Sequence, residues 1–234
     1  MYEYKQGGNS MKCESRKILI DIIVVYVIAL LAPTIHGFYT YVSGNIQYNS
    51  LHSNYQFILA ILERLGGILI LWYVMYKNDS NLQGFGLSFR FKDIWHSIVL
   101  ILLYYLGNYF VSILIYYIAP SFYSIQPKNI EFFMSKITIW YVLLMIINPF
   151  FEELIVRSFF IEKIEALTNS SLVAIILSII LQLLPHIYQG FIALIYLGVM
   201  FTIFSLYYVR YRRIVPVILA HMFFDIIAMI NYGG

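Results

Sequence analysis

The chain is 234 residues long, 61% hydrophobic and only 12% charged, with a mean hydropathy of +0.78 and a net charge of +3. A soluble domain carries about 25% charged residues, so the composition excludes an ordinary soluble fold and points to one all-α, polytopic membrane domain, a helical bundle with no room for a second large unit. The net charge is too small to indicate a nucleic-acid partner, and the single cysteine, Cys13, excludes an intrachain disulfide and a cysteine-based metal site.

Residues 1–17 are polar and basic and read as a cytoplasmic tail. The apolar run that begins at Ile18 is too long for a signal-peptide core and is not followed by a small-residue cleavage site, so it is expected to remain as a span. Seven apolar stretches follow one another at 18–42, 57–76, 94–119, 137–161, 172–185, 191–209 and 214–230. Most approach the roughly 20 residues that a bilayer-crossing helix needs. The fifth is short and ends at Pro185-His186, which predicts a tilted helix or irregular backbone covered by protein or a wet cavity. The chain divides into N-terminal spans over 18–136 and a core of spans over 137–231, whose clustered ionisable groups lead to the expectation of an intramembrane cavity.

The segment Lys77–Asp93 reads as an inner loop. Its Phe85, Leu87, Phe89 and Phe91 alternate with small or basic residues, a pattern that fits interfacial anchoring. Of the 15 Lys and Arg residues, Lys128 and Lys136 fall in outer loops and Arg64 within the second span; the others lie on the side of the N-terminus. The positive-inside rule therefore places the N-terminus in the cytoplasm and the C-terminus outside. The Ile-, Tyr- and Asn-rich composition suggests a bacterial plasma membrane.

Ionisable groups inside apolar spans are rare and face bundle interiors or cavities. The stretch NPFFEELIVRSFF, residues 148–160, carries three of them. Glu153 and Arg157 stand four apart on one helical face, as an acid–base pair in the favourable order. Glu152, about 100° around the helix, has no basic partner at that spacing and is left available. Pro149 is expected to bend or restart the helix just before the acids. The fifth stretch ends in LQLLPHIY, placing His186 near a helix end with Gln182 one turn before it. In the seventh, His221 and Asp225 again stand four apart, so that the acid can orient the imidazole. Glu63, Arg64, His36 and His52 have no partner motif and read as structural or interfacial.

A carboxylate with two imidazoles suits peptide hydrolysis without a serine or cysteine nucleophile. Glu152 can take a proton from water, His186 can orient that water, and His221 can donate to the oxyanion with Asp225 holding it. The same four groups are candidate Zn²⁺ ligands if a metal is used, although no HExxH motif is present.

The ordered set of EExxxR, a His closing a later span, and HxxxD in the last span resembles the CPBP family. These are intramembrane metalloproteases of the CAAX prenyl protease 2 type, also called the Abi family. The resemblance covers the fourth to seventh spans. It implies Glu152 as the catalytic acid that activates water, with Glu153 and Arg157 in support. His186 is implied as the second water-activating residue or a metal ligand, and His221 and Asp225 as the oxyanion or ligand pair. Three positions depart from the family pattern: Gln182 where Phe is frequent, Ser158 where Gly is common, and Asp225 where Asn is common. An ionised Asp only accepts hydrogen bonds, which favours orientation of His221 over direct oxyanion contact.

The expected activity is an endopeptidase acting on a membrane-associated peptide or protein. A non-enzymatic bacteriocin-immunity or scaffold protein using the same cavity, and a small proton-coupled transporter, are the alternatives. One feature strains the reading. At about 1.5 Å per helical residue, Glu152 lies roughly 16 Å from Lys163 and His221 roughly 12 Å from Arg213, but His186 lies roughly 22 Å from Ser171.

Overall fold

The computed structural model describes residues 3–43, 54–78, 84–123 and 137–232. His52, Lys128 and Lys136 lie outside them. The described residues form α1 (Glu3–Val25), α2 (Leu31–Ser43), α3 (Asn54–Lys77), α4 (Lys92–Ile118), the short α5 (Pro120–Tyr123), α6 (Ile139–Glu153), α7 (Ile161–Thr168), α8 (Ser171–Leu183), α9 (Phe191–Tyr211) and α10 (Val215–Tyr232). Helical stretches with widened turns, Tyr26–Leu30 and Leu154–Phe160, join α1 to α2 and α6 to α7. A tight 3₁₀ stretch, Leu184–Gln189, ends the fifth span. No strand occurs among the described residues. Among the described residues six helices are long and apolar enough to cross a membrane, and a shorter apolar helix, Val215–Asn231, makes the seventh. The chain is an integral membrane protein. Its polar N-terminal residues extend the first helix from Glu3.

Local chemistry sets the corners. Thr138 starts α6 by accepting a hydrogen bond from the Tyr141 backbone N–H, and Ser170 starts α8 by accepting from Val173. Between α7 and α8, Asn169 takes a left-handed conformation (φ 53°) that turns the chain back on itself. The fourth span is continuous from Ile139 to Thr168. It runs through Pro149 without restarting, so the restart expected before the acids does not occur. The irregularity comes after them, in the widened turns of Leu154–Phe160. Widened turns of this kind are rare and recur at functional sites.

All seven residues of Leu154–Phe160 are buried. Phe159 and Phe160 join Phe201, Phe204 and Tyr208 of α9, and Ile214, Val217 and Ile218, in one apolar cluster. The described part of the loop before α4, residues 84–91, departs from its expected role. Phe85 is buried in that cluster and Leu87 packs against it, while only Phe89 and Phe91 are exposed. Backbone ties hold the loop in place. Ser158 donates to the Phe85 carbonyl oxygen (3.4 Å), and Ile214 N–H donates to the Gly86 oxygen (3.4 Å). Gly86 sits at φ 77°, and a Cβ there would lie 2.2 Å from the Arg212 oxygen, so only glycine fits. Arg213 donates to Asp93 and to the Ser88 carbonyl oxygen.

Candidate active site

Glu153 and Arg157 meet as their spacing predicts. Arg157 Nε lies 3.2 Å from Glu153 Oε2 and Nη1 lies 3.3 Å from Oε1, with both side chains fully buried. The guanidinium also lies over the Phe201 ring, 4.7 Å from its centroid, so an aromatic face replaces part of its lost hydration. The pair has a second task that its spacing did not reveal. Glu153 Oε1 lies 2.6 Å from Nδ1 of His221, across the bundle on α10. A carboxylate paired with arginine can only accept, so Nδ1 carries the hydrogen and Nε2 of a neutral His221 is left with its lone pair. Asp225 was expected to orient this ring. Its Oδ1 instead lies 3.6 Å from Nε2, beyond a direct hydrogen bond, and the orienting partner is Glu153.

Glu152 is held differently. Oε1 accepts from Asn148 Nδ2 and Oε2 accepts from Gln182 Nε2, each at 2.9 Å. Nε2 of His186 and Nε2 of His221 each lie 3.9 Å from Oε2. One carboxylate oxygen therefore faces two imidazoles brought by separate elements. Asn148 lies one turn before Glu152, so helical spacing could have identified it. Gln182 stood out in the sequence only as a departure from the family pattern, and its tie to α6 is visible only in three dimensions.

The depth mismatch for His186 disappears for a simple reason. The helix that carries Glu152 does not end near Lys163 but continues to Thr168, and the chain turns directly into α8 at Ser171. Sixteen residues separate Glu152 from Thr168 and fifteen separate Ser171 from His186, so the two arms of this hairpin reach the same level. The 3₁₀ stretch then packs on α2, where Gly37 lets the Pro185 carbonyl approach. A Cβ at Gly37 would lie 2.5 Å from that oxygen. Within the stretch, Gln189 Nε2 donates to Nδ1 of His186 at 3.2 Å. That leaves the hydrogen of a neutral His186 on Nε2, the opposite tautomer from His221.

A cavity of about 510 Å³ opens against these groups. Glu152, Gln182 and His186 line it on one side, and His36, Glu63 and Arg64 line it from α2 and α3. Glu153, Arg157, His221 and Asp225 are not part of its wall; they support it from behind.

A protein-family model described as Rce1-like, type II CAAX prenyl endopeptidase, matches residues 134–227. Over these residues, less than half of the chain, the protein is similar to that family. No curated protein and no solved structure matches the chain. The Rce1-like segment contains Glu152, Glu153, Arg157, His186, His221 and Asp225, so the resemblance read from their order is borne out, and the family is one of proteases. The N-terminal spans lie outside the Rce1-like segment, although α2 and α3 complete the cavity wall.

The four candidate zinc ligands do not form a ready ligand set. No group of three or more His, Cys, Asp or Glu side chains among the described residues is arranged to hold a metal ion. His186 presents an N–H rather than a lone pair toward Glu152, and Gln182 already occupies Oε2 of Glu152. As arranged, these residues do not fit the metal, and no step below runs through one.

Proposed function

We propose that this protein is an intramembrane endopeptidase in which Glu152 activates water for attack on a peptide bond of a membrane-associated substrate. The observation that carries this reading is the convergence on Glu152 Oε2 of two imidazole nitrogens in opposite tautomers, at the wall of a cavity. Glu152 takes a proton from water as the water oxygen bonds to the substrate carbonyl carbon, and the carbonyl electron pair moves to oxygen. His186 suits the oxyanion better than His221, because His186 lines the cavity and offers Nε2–H. His221 stands behind Glu152 with an Nε2 lone pair able to share the incoming proton, and buried Glu153 fixes its ring. The proton then passes from Glu152 to the amide nitrogen as the C–N bond breaks, giving a free acid and a free amine. Asp225, half-buried, faces the same nitrogen with its Oδ1 at 3.6 Å.

The test uses the full chain reconstituted in vesicles with membrane peptides extracted from its host, with new termini followed by mass spectrometry. Glu152→Gln should reduce the rate of cleavage about 10³-fold, within the range of general-base catalysis, and His186→Ala should also suppress it. Unchanged cleavage in both variants defeats the protease reading. Added zinc or a chelator tests the metal directly: a chelator-sensitive rate restored by zinc would assign a ligand role to the same residues. The cytoplasmic N-terminus is tested by labelling Cys13 from outside intact cells, which should fail.

A further inference from the structure

We propose that Arg64, on α3 and outside the Rce1-like segment, is a positioning residue for Glu152 that acts through the side-chain amide of Asn148. This rests on Glu152 being the catalytic base. Asn148 carries both a donor and an acceptor, and an amide alone can present either end to a carboxylate. A guanidinium can only donate. Arg64 Nε lies 3.2 Å from Asn148 Oδ1, which turns Asn148 Nδ2 toward Glu152 Oε1 at 2.9 Å. The reversed amide would set two acceptors against each other at Glu152 and two donors against each other at Arg64.

The approach of the two helices is built for this contact. Gly67, one turn from Arg64, lies against the Phe151 ring, one turn from Asn148, and a Cβ there would lie 2.3 Å from a ring carbon. The same ring lies under the Arg64 guanidinium, 5.5 Å from its centroid. Arg64 Nη1 pairs with Glu63, which is largely exposed. The arginine is thereby fixed at its far end and delivers its Nε to Asn148. Gln182, the other donor to Glu152, has no comparable guide among the described residues, where its Oε1 is buried without a hydrogen-bond partner. Of the two amides that grip the base, Asn148 is the one that a described residue sets from outside. The competing role for a cavity-wall arginine is contact with substrate.

The experiment is a double-mutant cycle on the reconstituted full chain, using the cleavage assay above with saturation curves and unfolding in detergent. Arg64→Met should lower kcat about tenfold with KM unchanged, the size expected for losing one hydrogen bond to a charged group. Arg64→Lys, which keeps a donor, should recover most of the rate. Asn148→Ala should show a similar loss, and the double variant should be no slower than Asn148→Ala alone. Additive losses, a raised KM with kcat intact, or failure of lysine to rescue would each overturn the proposal. If Arg64→Met does not fold, Arg64→Ala, which also removes the donor, takes its place in the same cycle. Should Glu152→Gln leave cleavage untouched, the protease reading itself falls; should it abolish cleavage while the Arg64 variants are silent, only the positioning role falls.

Discussion

The third and fourth spans are of similar apolarity yet used in opposite ways. In the most hydrophobic window of α4, 6% of residues are buried, whereas half are buried in the window from Ile139–Thr168. α4 presents Leu102, Leu106, Phe110 and Tyr117 outward and keeps its buried acid, Asp93, at its first turn, beside Arg213. There the partner reaches it from the end of the bundle: hydrogen bonding to Asp93 raises the pKa of Arg213 and keeps it charged. The fourth span instead carries Glu152, Glu153 and Arg157 in mid-helix and surrounds them with α3, α8, α9 and α10. A charge is retained at depth only where several elements supply its partners. Average hydropathy says nothing about which span has them.

The sharpest way to break this contrast is to remove one member of the buried pair. Arg157→Leu leaves Glu153 buried without its cation and should destabilise the protein by about 3–5 kcal/mol, seen as a large drop in the unfolding midpoint of the detergent-solubilised chain. Next come the adjacent glycines of α3. Gly67→Ala drives a Cβ into Phe151 and should cost about 1–3 kcal/mol along with activity, because it pushes Arg64 away from Asn148. Gly66→Ala meets nothing within 4 Å and should instead stabilise the helix by up to about 1 kcal/mol. Equal effects at the two positions would refute the close approach of α3 to α6. The smallest effect belongs to the lipid-facing wall, where Leu102→Ala should stay within about 0.5 kcal/mol and leave cleavage unchanged.

Much of this was legible in the sequence. Apolar length announced seven helices, and the order of Glu152, Glu153, Arg157, His186, His221 and Asp225 pointed to the family whose model matches residues 134–227. The i, i+4 rule paired Glu153 with Arg157 correctly because that contact lies within one span. What escaped depended on contacts between spans. The grip of Glu153 on His221 joins residues 68 apart, and the tie of Arg64 to Asn148 joins residues 84 apart. No helical periodicity encodes either. Phe85 and Leu87 misled for a related reason: alternating apolar residues suit a membrane surface and a protein surface equally, and only the fold shows Phe85 entering the core. Counting from Lys163 misplaces His186, because the helix that carries Glu152 runs on to Thr168.

The hairpin of α7 and α8 also works as a ruler. Glu152 and His186 sit at matched distances from one bend, so their separation is governed by the difference between two arm lengths and not by the length of either. Lengthening one arm by a turn would slide the histidine about 5 Å past the carboxylate, whereas adding a turn to both would raise the bend and leave the pair in register. Insertions and deletions in this part of the chain are therefore constrained to come in compensating pairs, a rule of inheritance written in lengths and indifferent to which apolar residues fill them.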